Sequence, residues 1–268
     1  MKRFEIDGAS VIITGAGSGI GRELAKASCA RGARVALLGR RREALEETAD
    51  LLPSGAEAII ITADVTEYDS CLKARGSVLE SFGRIDALFN NAGISMRGAF
   101  GDTAPGVLRL LVEGDLLGPM LMTRACIHDI VSVRGIVCFV SSLAGLYGLP
   151  LVSAYSASKM GLSGLAQSLR TEYAGSGTSF TVVHIGLVDN DAGKRVLSAD
   201  GTMIPISRPA HATRKNAAEF ILKASLRRKK TALHTAAGKV MSIAVRFAPG
   251  TVGALLALSK RSMKNLYQ

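Results

Sequence analysis

The segment that most constrains this chain is a glycine-rich turn that separates a short apolar run from a helical pattern. Residues 9–14 are rich in β-branched side chains, which predicts a buried strand. The turn TGAGSGIG spans residues 14–21, and RELAKASCA continues as a helix. Glycines let the backbone approach a pyrophosphate closely, and the helix N-terminus supplies N–H donors and a partial positive charge. We therefore predict a dinucleotide site rather than a merely tight turn, with contacts from Gly15, Ser18, Gly19, Ile20 and Gly21.

The rest of the chain alternates between strand and helix patterns, which predicts an α/β fold with a doubly wound parallel sheet, a Rossmann fold. Further strands are predicted at residues 34–38, 58–62, 87–89, 135–140, 180–185 and 231–234. Helices are predicted at residues 42–52, 67–82, 103–129 with a break near Gly118 and Pro119, from about Tyr155 to Tyr173, and 214–229. Residues 192–211 contain glycine and proline without a clear period, and we expect a flexible loop over the cleft.

The end of the second predicted strand carries arginines where many dinucleotide sites carry a carboxylate. Gly39 is followed by Arg40, Arg41 and Arg42. A carboxylate there accepts hydrogen bonds from the adenosine ribose of NAD, whereas a guanidinium pairs with a 2′-phosphate. We therefore expect NADP(H), bound by Arg40 first and Arg41 second. The alternative is that these arginines only begin a charged helix.

Polar residues also follow the third and fourth predicted strands, at the sheet edge where a cofactor would lie. Asp64 could accept a hydrogen bond from an adenine amino group while Val65 covers the ring. Alternatively, and equally well supported physically, Asp64 or Thr66 caps the N-terminus of the next helix. Residues 90–93 read Asn-Asn-Ala-Gly, so Asn91, Ala92 and Gly93 either line the cleft or brace neighbouring strands.

Tyr155 and Lys159 are four residues apart, so on a helix both side chains point to one face. A free tyrosine has a pKa of about 10 and exchanges protons poorly at neutral pH. A lysine cation nearby favours the phenolate and brings such a phenol toward a useful acid or base. Spacing alone also fits a surface tyrosine and a solvated lysine on an ordinary amphipathic helix, so other motifs must decide.

Three motifs in this order resemble the short-chain dehydrogenase/reductase family over residues 5–235. Residues 14–21 match TGxxxGxG, residues 90–93 match NNAG, and Ser142 precedes Tyr155-x-x-x-Lys159 by thirteen residues. The stretches SSLAG, AYSASK and IGLVDND are most similar to the NADP-using branch that includes 11β-hydroxysteroid dehydrogenase type 1. The resemblance implies an oxidoreductase that acts on a hydrophobic ketone or secondary alcohol, steroid-like or lipid-like.

By this resemblance Tyr155 is the catalytic acid/base, Lys159 assists it and holds the nicotinamide ribose, and Ser142 hydrogen-bonds the substrate oxygen. Two hydroxyls that converge on that oxygen stabilise its developing charge and pass the proton. The resemblance also places a backbone group of Val188 on the cofactor carboxamide. One departure concerns Asp115, which stands where the family commonly has an asparagine of a proton relay; aspartate loses the amide donor and adds a charge.

A second departure follows the sixth predicted strand. The usual Pro-Gly is replaced by Ile185 and Gly186, and Asn190 stands where threonine is common. Both changes lie in the segment expected to form the cofactor loop, so its geometry departs from the family pattern. The runner-up hypothesis is a catalytically impaired protein that keeps the fold as a nucleotide sensor or scaffold; Asp115 favours it, and Ser142, Tyr155 and Lys159 oppose it.

The net charge of +11 is concentrated in the C-terminal quarter. Residues 1–193 hold 18 basic and 20 acidic residues, whereas residues 194–268 hold 15 basic and 2 acidic ones, a balance of +13. An anionic partner fits this asymmetry, as does a solvated tail. We place the catalytic domain at residues 1–235 and a basic, apolar helical extension at residues 236–268. This extension either attaches to a membrane surface or covers the substrate cleft or a subunit interface.

Other features of the sequence narrow the remaining expectations. The four cysteines are widely spaced without a zinc-ligand pattern, so we expect buried thiols, a reducing compartment and no metal site. The first ten residues hold no apolar segment typical of a signal peptide, and residues 240–258 are interrupted by Arg246, Pro249 and Gly250, so a spanning helix is not expected. The resemblance to the short-chain dehydrogenase/reductase family implies a homodimer or homotetramer. We expect a cytoplasmic protein, with a peripheral membrane contact as an open option. Nucleic acid is not an expected partner, because the tail lacks interleaved aromatic residues.

Overall fold

The computed structural model describes residues 2–191, 194–206, 210 and 212–266, with side chains through residue 258. Its centre is a seven-stranded parallel sheet in the order β10-β7-β6-β4-β1-β2-β3. Those strands are β1 Ser10–Thr14, β2 Arg34–Gly39, β3 Ala58–Thr62, β4 Ala87–Asn90, β6 Ile136–Ser142, β7 Ser179–Ile185 and β10 Thr231–Leu233. A small second sheet contains β5 Met96–Arg97, β8 Arg195–Ser198 and β9 Met203–Pro205. The expected doubly wound parallel sheet is confirmed.

Helices cover both faces of the large sheet, because each central strand is apolar on both sides. The helices are α1 Gly19–Cys29, α2 Arg42–Asp50, α3 Tyr68–Phe82, α4 Pro105–Val112, α5 Gly118–Ser132, α6 Ser153–Glu172, α7 Arg214–Leu226, α8 Ala236–Phe247 and α9 Pro249–Leu266. Along β1, Val11 and Ile13 pack toward α1 and α7, whereas Ile12 packs toward α3, α5 and α6. Strands buried on both faces are typical of a parallel sheet with helices in two layers.

The order of the strands positions the site. β1 pairs with β2 on one side and with β4 on the other, so the chain runs outward from β1 to β3 and then crosses back to β4, from which it continues in the opposite direction. In such sheets ligands bind in the crevice beyond the carboxyl ends of the strands, at the point where the order reverses. The turn after β1 and the Asn91 segment after β4 flank this crevice.

Two expectations about irregular segments were wrong in detail. Residues 192–211 were expected to be a flexible loop over the cleft, yet they contain β8 and β9, which pair antiparallel, and β8 also pairs with β5. Asp200 and Gly201 form the tight turn between them: the Asp200 carboxylate accepts from the Thr202 N–H at 2.8 Å, and Gly201 has a φ of +90°. Part of that segment, residues 192, 193, 207–209 and 211, lies outside the described residues.

The expected break near Gly118 and Pro119 is also displaced. Helical geometry continues through Gly118, and Pro119 lies in the first turn of α5. The irregularity is a π-helical turn one turn earlier, Glu113–Leu117, which links α4 to α5. π-turns bulge a helix and are frequent at functional sites.

The C-terminal segment forms α8 and α9, which pack on the segment after β6. The Tyr147 hydroxyl lies 3.4 Å from the Pro249 carbonyl oxygen, and a Cβ at Gly238 would lie 2.7 Å from Leu143 Cδ2. α8 leaves Val240, Ile243 and Phe247 between 62% and 77% exposed. Among the described residues, none of the helices has the length and apolarity needed to cross a membrane.

Candidate active site

The glycine-rich turn packs directly against the segment after β4. A Cβ at Gly21 would lie 2.1 Å from the Gly15 carbonyl oxygen and 2.6 Å from Asn91 Nδ2, so only glycine fits there. Gly15 and Gly19 have φ values of +67° and +55°. The turn thereby brings the first N–H groups of α1 to the crevice, as a pyrophosphate site requires.

Thr14 joins the two sides of the crevice, and sequence reasoning missed this role. Its hydroxyl donates to the Phe89 carbonyl at 3.3 Å and accepts from the N–H groups of Asn91 and Ala92, both at 3.0 Å. The Asn91 amide in turn donates to the Thr14 carbonyl at 3.0 Å. Asn90 bonds Thr123 on α5 at 2.9 Å. The asparagine pair therefore braces neighbouring elements, which was one of the two expected roles.

A carboxylate of the chain itself lies at the N-terminus of α1. Asp191 Oδ2 accepts from the Gly19 N–H at 2.7 Å, and Arg214 pairs with both Asp191 and Asp189. Asp191 Oδ2 stands in for an anionic phosphate oxygen, so the turn binds an oxyanion in the way a dinucleotide pyrophosphate requires. The residues present therefore fit a dinucleotide. Sequence reasoning missed Asp191, because it is 172 residues from Gly19.

The arginines after β2 are on the surface near Asp64. Arg40 is 69% exposed, and its Nη1 is 3.8 Å from Asp64 Oδ2; Arg41 is also exposed. Asp64 Oδ1 accepts from the Thr66 N–H at 3.0 Å and from its hydroxyl at 2.8 Å. Asp64 thus stabilises a local turn, and the cap of α3 is Glu67, so capping by Asp64 or Thr66 is not observed. Val65 is half-buried against the core.

Tyr155 and Lys159 lie on one face of α6, as their spacing predicted. The Lys159 Nζ is 5.7 Å from the Tyr155 ring centroid and donates to the Val140 carbonyl at 3.3 Å. The Ser141 hydroxyl donates to the Lys159 carbonyl at 3.1 Å, which ties α6 to the end of β6. The side chain of Lys159 is almost fully buried. The pair is therefore built into the protein and is not a solvated surface feature.

Ser142 is the last residue of β6, and its hydroxyl accepts from the Ala144 N–H at 3.3 Å. Its carbonyl lies 3.0 Å from the Nδ1 of His184 on β7, and burial lowers the pKa of His184. Val188, beyond β7, is buried and pairs with Ala212 in an isolated bridge. Ser142 and Val188 thus both lie at the carboxyl edge of the sheet.

Asp115 forms a buried ion pair with Lys159, and no sequence argument predicted this contact. Asp115 Oδ1 is 3.0 Å from Lys159 Nζ and accepts from the Ile94 N–H at 3.2 Å. A Cβ at Gly93 would lie 2.3 Å from that oxygen, so glycine there makes room for the pair. Burial raises the pKa of Asp115, and Lys159 opposes the rise. Burial also favours neutral Lys159, but Asp115 and Tyr155 together outweigh it and leave the pKa of Lys159 raised.

Tyr155 is partly buried against apolar side chains. It packs against a cluster formed by Met96, Val107, Leu111, Val152 and Ala154. A separate cleft of about 530 Å³ lies between α6, α9 and residues 147–150, and Ser142, Tyr155 and Lys159 are not among its lining residues.

In the described part of the chain, no group of three or more His, Cys, Asp or Glu side chains could hold a metal ion. All four cysteines are buried thiols, as expected.

Comparison with known proteins places this geometry in one family. The family model for short chain dehydrogenase matches residues 9–200. Dehydrogenase/reductase SDR family member 7B of Bos taurus is 34% identical over 97% of this chain and 83% of its own length. 11-beta-hydroxysteroid dehydrogenase A of Arachis hypogaea is 34% identical over 83% of this chain and 67% of its own length.

Two solved structures share the fold. A short-chain dehydrogenase from Streptomyces avermitilis has a TM-score of 0.77 at 28% identity and covers 96% of this chain and 99% of its own. A short chain dehydrogenase from Burkholderia cenocepacia, solved in complex with NADP, has a TM-score of 0.80 at 23% identity and covers 94% of this chain and 99% of its own. The motifs, the sheet and these matches agree, and the chain belongs to the short-chain dehydrogenase/reductase family of oxidoreductases.

Proposed function

We propose that this protein is an NADP(H)-dependent oxidoreductase that interconverts a hydrophobic ketone and a secondary alcohol, with Tyr155 as acid/base. The observation that carries the proposal is the buried ammonium of Lys159, held 5.7 Å from the Tyr155 ring centroid. Such a cation beside a phenol is the arrangement that general acid–base catalysis by tyrosine requires. The apolar cluster around Tyr155 supports a substrate with a hydrophobic body.

In this mechanism the chain's own residues bind, orient and move a proton. When bound, NADP(H) supplies or accepts the hydride. Ser142 holds the substrate oxygen, and the Tyr155 hydroxyl gives that oxygen a proton in reduction or removes one in oxidation. Lys159 compensates the charge that develops on Tyr155. The first N–H groups of α1 and the Thr14–Asn91 hydrogen bonds fix the dinucleotide cradle against this group of residues.

The test of the oxidoreductase is NADPH oxidation with a panel of lipophilic ketones. We expect wild type to turn over at least one class of ketone and Tyr155→Phe to lose about 100-fold or more in rate while it still binds NADPH. The buried pair of Asp115 and Lys159 favours the second candidate, an impaired enzyme that only binds nucleotide. Equal inactivity of wild type and Tyr155→Phe, with NADPH bound by both, would establish that candidate instead.

The preference for NADP(H) rests on the two arginines after β2. Arg40 and Arg41 are exposed, and the 3.8 Å contact of Arg40 with Asp64 leaves its guanidinium accessible to a 2′-phosphate. Arg40→Asp should shift the ratio of NADPH to NADH affinity toward NADH by 10-fold or more. Arg42→Asp is the matched control, because Arg42 already pairs with Glu46 at 2.9 Å. An equal effect of both substitutions would show a general charge effect and refute the assignment.

We also propose that the C-terminal extension, residues 236–268, contacts an anionic membrane surface. Val240, Ile243 and Phe247 form an exposed apolar stripe on α8, and Lys239 and Arg246 lie on the same helix. The triple change of the stripe to serine should abolish sedimentation with vesicles that contain phosphatidylserine. Leu51→Ser, at an apolar residue 52% exposed on another surface, is the control. If the triple change instead dissociates a dimer or tetramer and leaves vesicle binding unaltered, the stripe is a subunit interface.

A further inference from the structure

The ion pair between Asp115 and Lys159 changes the charge that faces Tyr155. Asp115 is wholly buried, its Oδ1 is 3.0 Å from Lys159 Nζ, and its Oδ2 has no hydrogen-bond partner in the described part of the chain. A carboxylate this close to the ammonium opposes the field of the ammonium at the neighbouring phenol. The pair as a whole is electrically neutral, so Lys159 favours the phenolate of Tyr155 less than an unpaired lysine would.

Other titratable groups near α6 do not replace that field. His184 faces the Ser142 carbonyl, and burial lowers its pKa, so it is neutral at neutral pH. On α4 and the π-turn, Arg109 is exposed and Glu113 half-buried, and water screens both. Cys138 on β6 lies in the core, where burial raises its pKa to about 12. The balance of charge at Tyr155 therefore depends on Lys159 and Asp115.

We propose that Asp115 is a positioning residue whose carboxylate offsets the positive charge that Lys159 presents to Tyr155, which favours Tyr155 as the proton donor in reduction of a carbonyl. This inference rests on the proposed function. In the reduction, hydride from NADPH forms a C–H bond as the carbonyl π bond breaks. The Tyr155 O–H bond then breaks to form the O–H bond of the alcohol, NADPH becomes NADP⁺, and solvent returns a proton to Tyr155. Asp115 touches none of the reacting atoms and acts through Lys159.

The decisive experiment titrates Tyr155 directly, without turnover. Tyrosinate ultraviolet absorbance is measured against pH in wild type and in Asp115→Asn, and the same titration of Tyr155→Phe in each background is subtracted to isolate Tyr155. Asp115→Asn should move the Tyr155 transition down by about one pH unit, a tenfold change in phenolate at fixed pH. Asp115→Glu keeps the charge and should titrate like wild type. Equal transitions in wild type and Asp115→Asn would overturn the inference.

Two further measurements separate the possible failures. Asp115→Ser provides a second uncharged variant if Asp115→Asn does not fold, and it should show the same downward shift. In an active protein, the alkaline limit of NADPH-dependent ketone reduction should move down with the Tyr155 transition. If the Tyr155 transition shifts in a protein that reduces no ketone, the result supports the electrostatic role of Asp115 and refutes the proposed function. If the protein reduces a ketone but the Tyr155 transition does not shift, the result supports the proposed function and refutes the role of Asp115.

Discussion

Removal of Lys159 should destabilise the protein strongly, because it leaves the buried Asp115 carboxylate without its cationic partner. Lys159→Met keeps the length of the apolar stem but leaves the Asp115 carboxylate, which is 0% exposed, with the Ile94 N–H at 3.2 Å as its one hydrogen-bond donor among the described residues. Loss of one partner of a buried ion pair costs about 3–5 kcal/mol. We therefore expect the free energy of unfolding, measured with urea and far-ultraviolet circular dichroism, to fall by about this amount at pH 8.

The double variant Lys159→Met with Asp115→Asn separates charge from packing. It removes both charges and keeps an acceptor for the Ile94 N–H, so it should recover at least about half of the lost stability. A double variant no more stable than Lys159→Met would refute the reasoning, because the loss would then come from packing around the lysine stem.

The single variant Lys159→Met should show an altered dependence of stability on pH. Burial raises the pKa of Asp115, and Lys159 is the group that opposes the rise, so Lys159→Met should raise it further. A carboxyl whose folded pKa exceeds its unfolded value binds a proton more tightly in the folded state. The folded state therefore gains stability as the pH falls through the folded pKa toward the unfolded value of about 3.9, at about 1.4 kcal/mol per unit of pKa difference. The difference in the free energy of unfolding between wild type and Lys159→Met should become smaller from pH 8 to pH 5. A difference that stays constant with pH would contradict the assignment.

Three other substitutions test the crevice. Thr14→Val leaves two N–H groups after β4 without their acceptor and should cost about 2 kcal/mol in urea unfolding, whereas Thr14→Ser should cost little. Asp191→Asn removes a carboxylate from the N–H of Gly19 and should tighten NADPH binding several-fold by titration calorimetry; weaker binding would show that Asp191 helps to form the site. Gly93→Ala places a Cβ 2.3 Å from Asp115 Oδ1 and should lower both stability and activity, and unchanged thermal unfolding would contradict the close approach.

Features with a local cause could be predicted from the sequence. The strand, turn and helix of residues 10–29 follow from β-branched residues, glycines and a helical period, and Tyr155 and Lys159 share a face because of their spacing. Residues 192–211 were misjudged because the strands there are short, and β8 pairs with the two-residue β5, nearly 100 residues earlier. Such pairing leaves almost no periodic pattern in either segment. The π-turn was missed for a related reason, since a bulge alters the helical period by less than one turn.

Contacts between distant segments account for the rest of what the sequence left undetermined. The substitution of aspartate at residue 115 was visible, but its meaning depended on whether the carboxylate faced solvent, substrate or a cation. The π-turn carries Asp115 into the protein, and Gly93 leaves the space in which its carboxylate meets Lys159 at 3.0 Å. An asparagine there would donate a hydrogen bond and leave the charge of the ammonium unopposed, whereas the aspartate places a negative charge beside it. The same residue type would be a minor change on the surface; because it is buried against Lys159, it alters the electrostatic environment of the proposed acid/base, Tyr155.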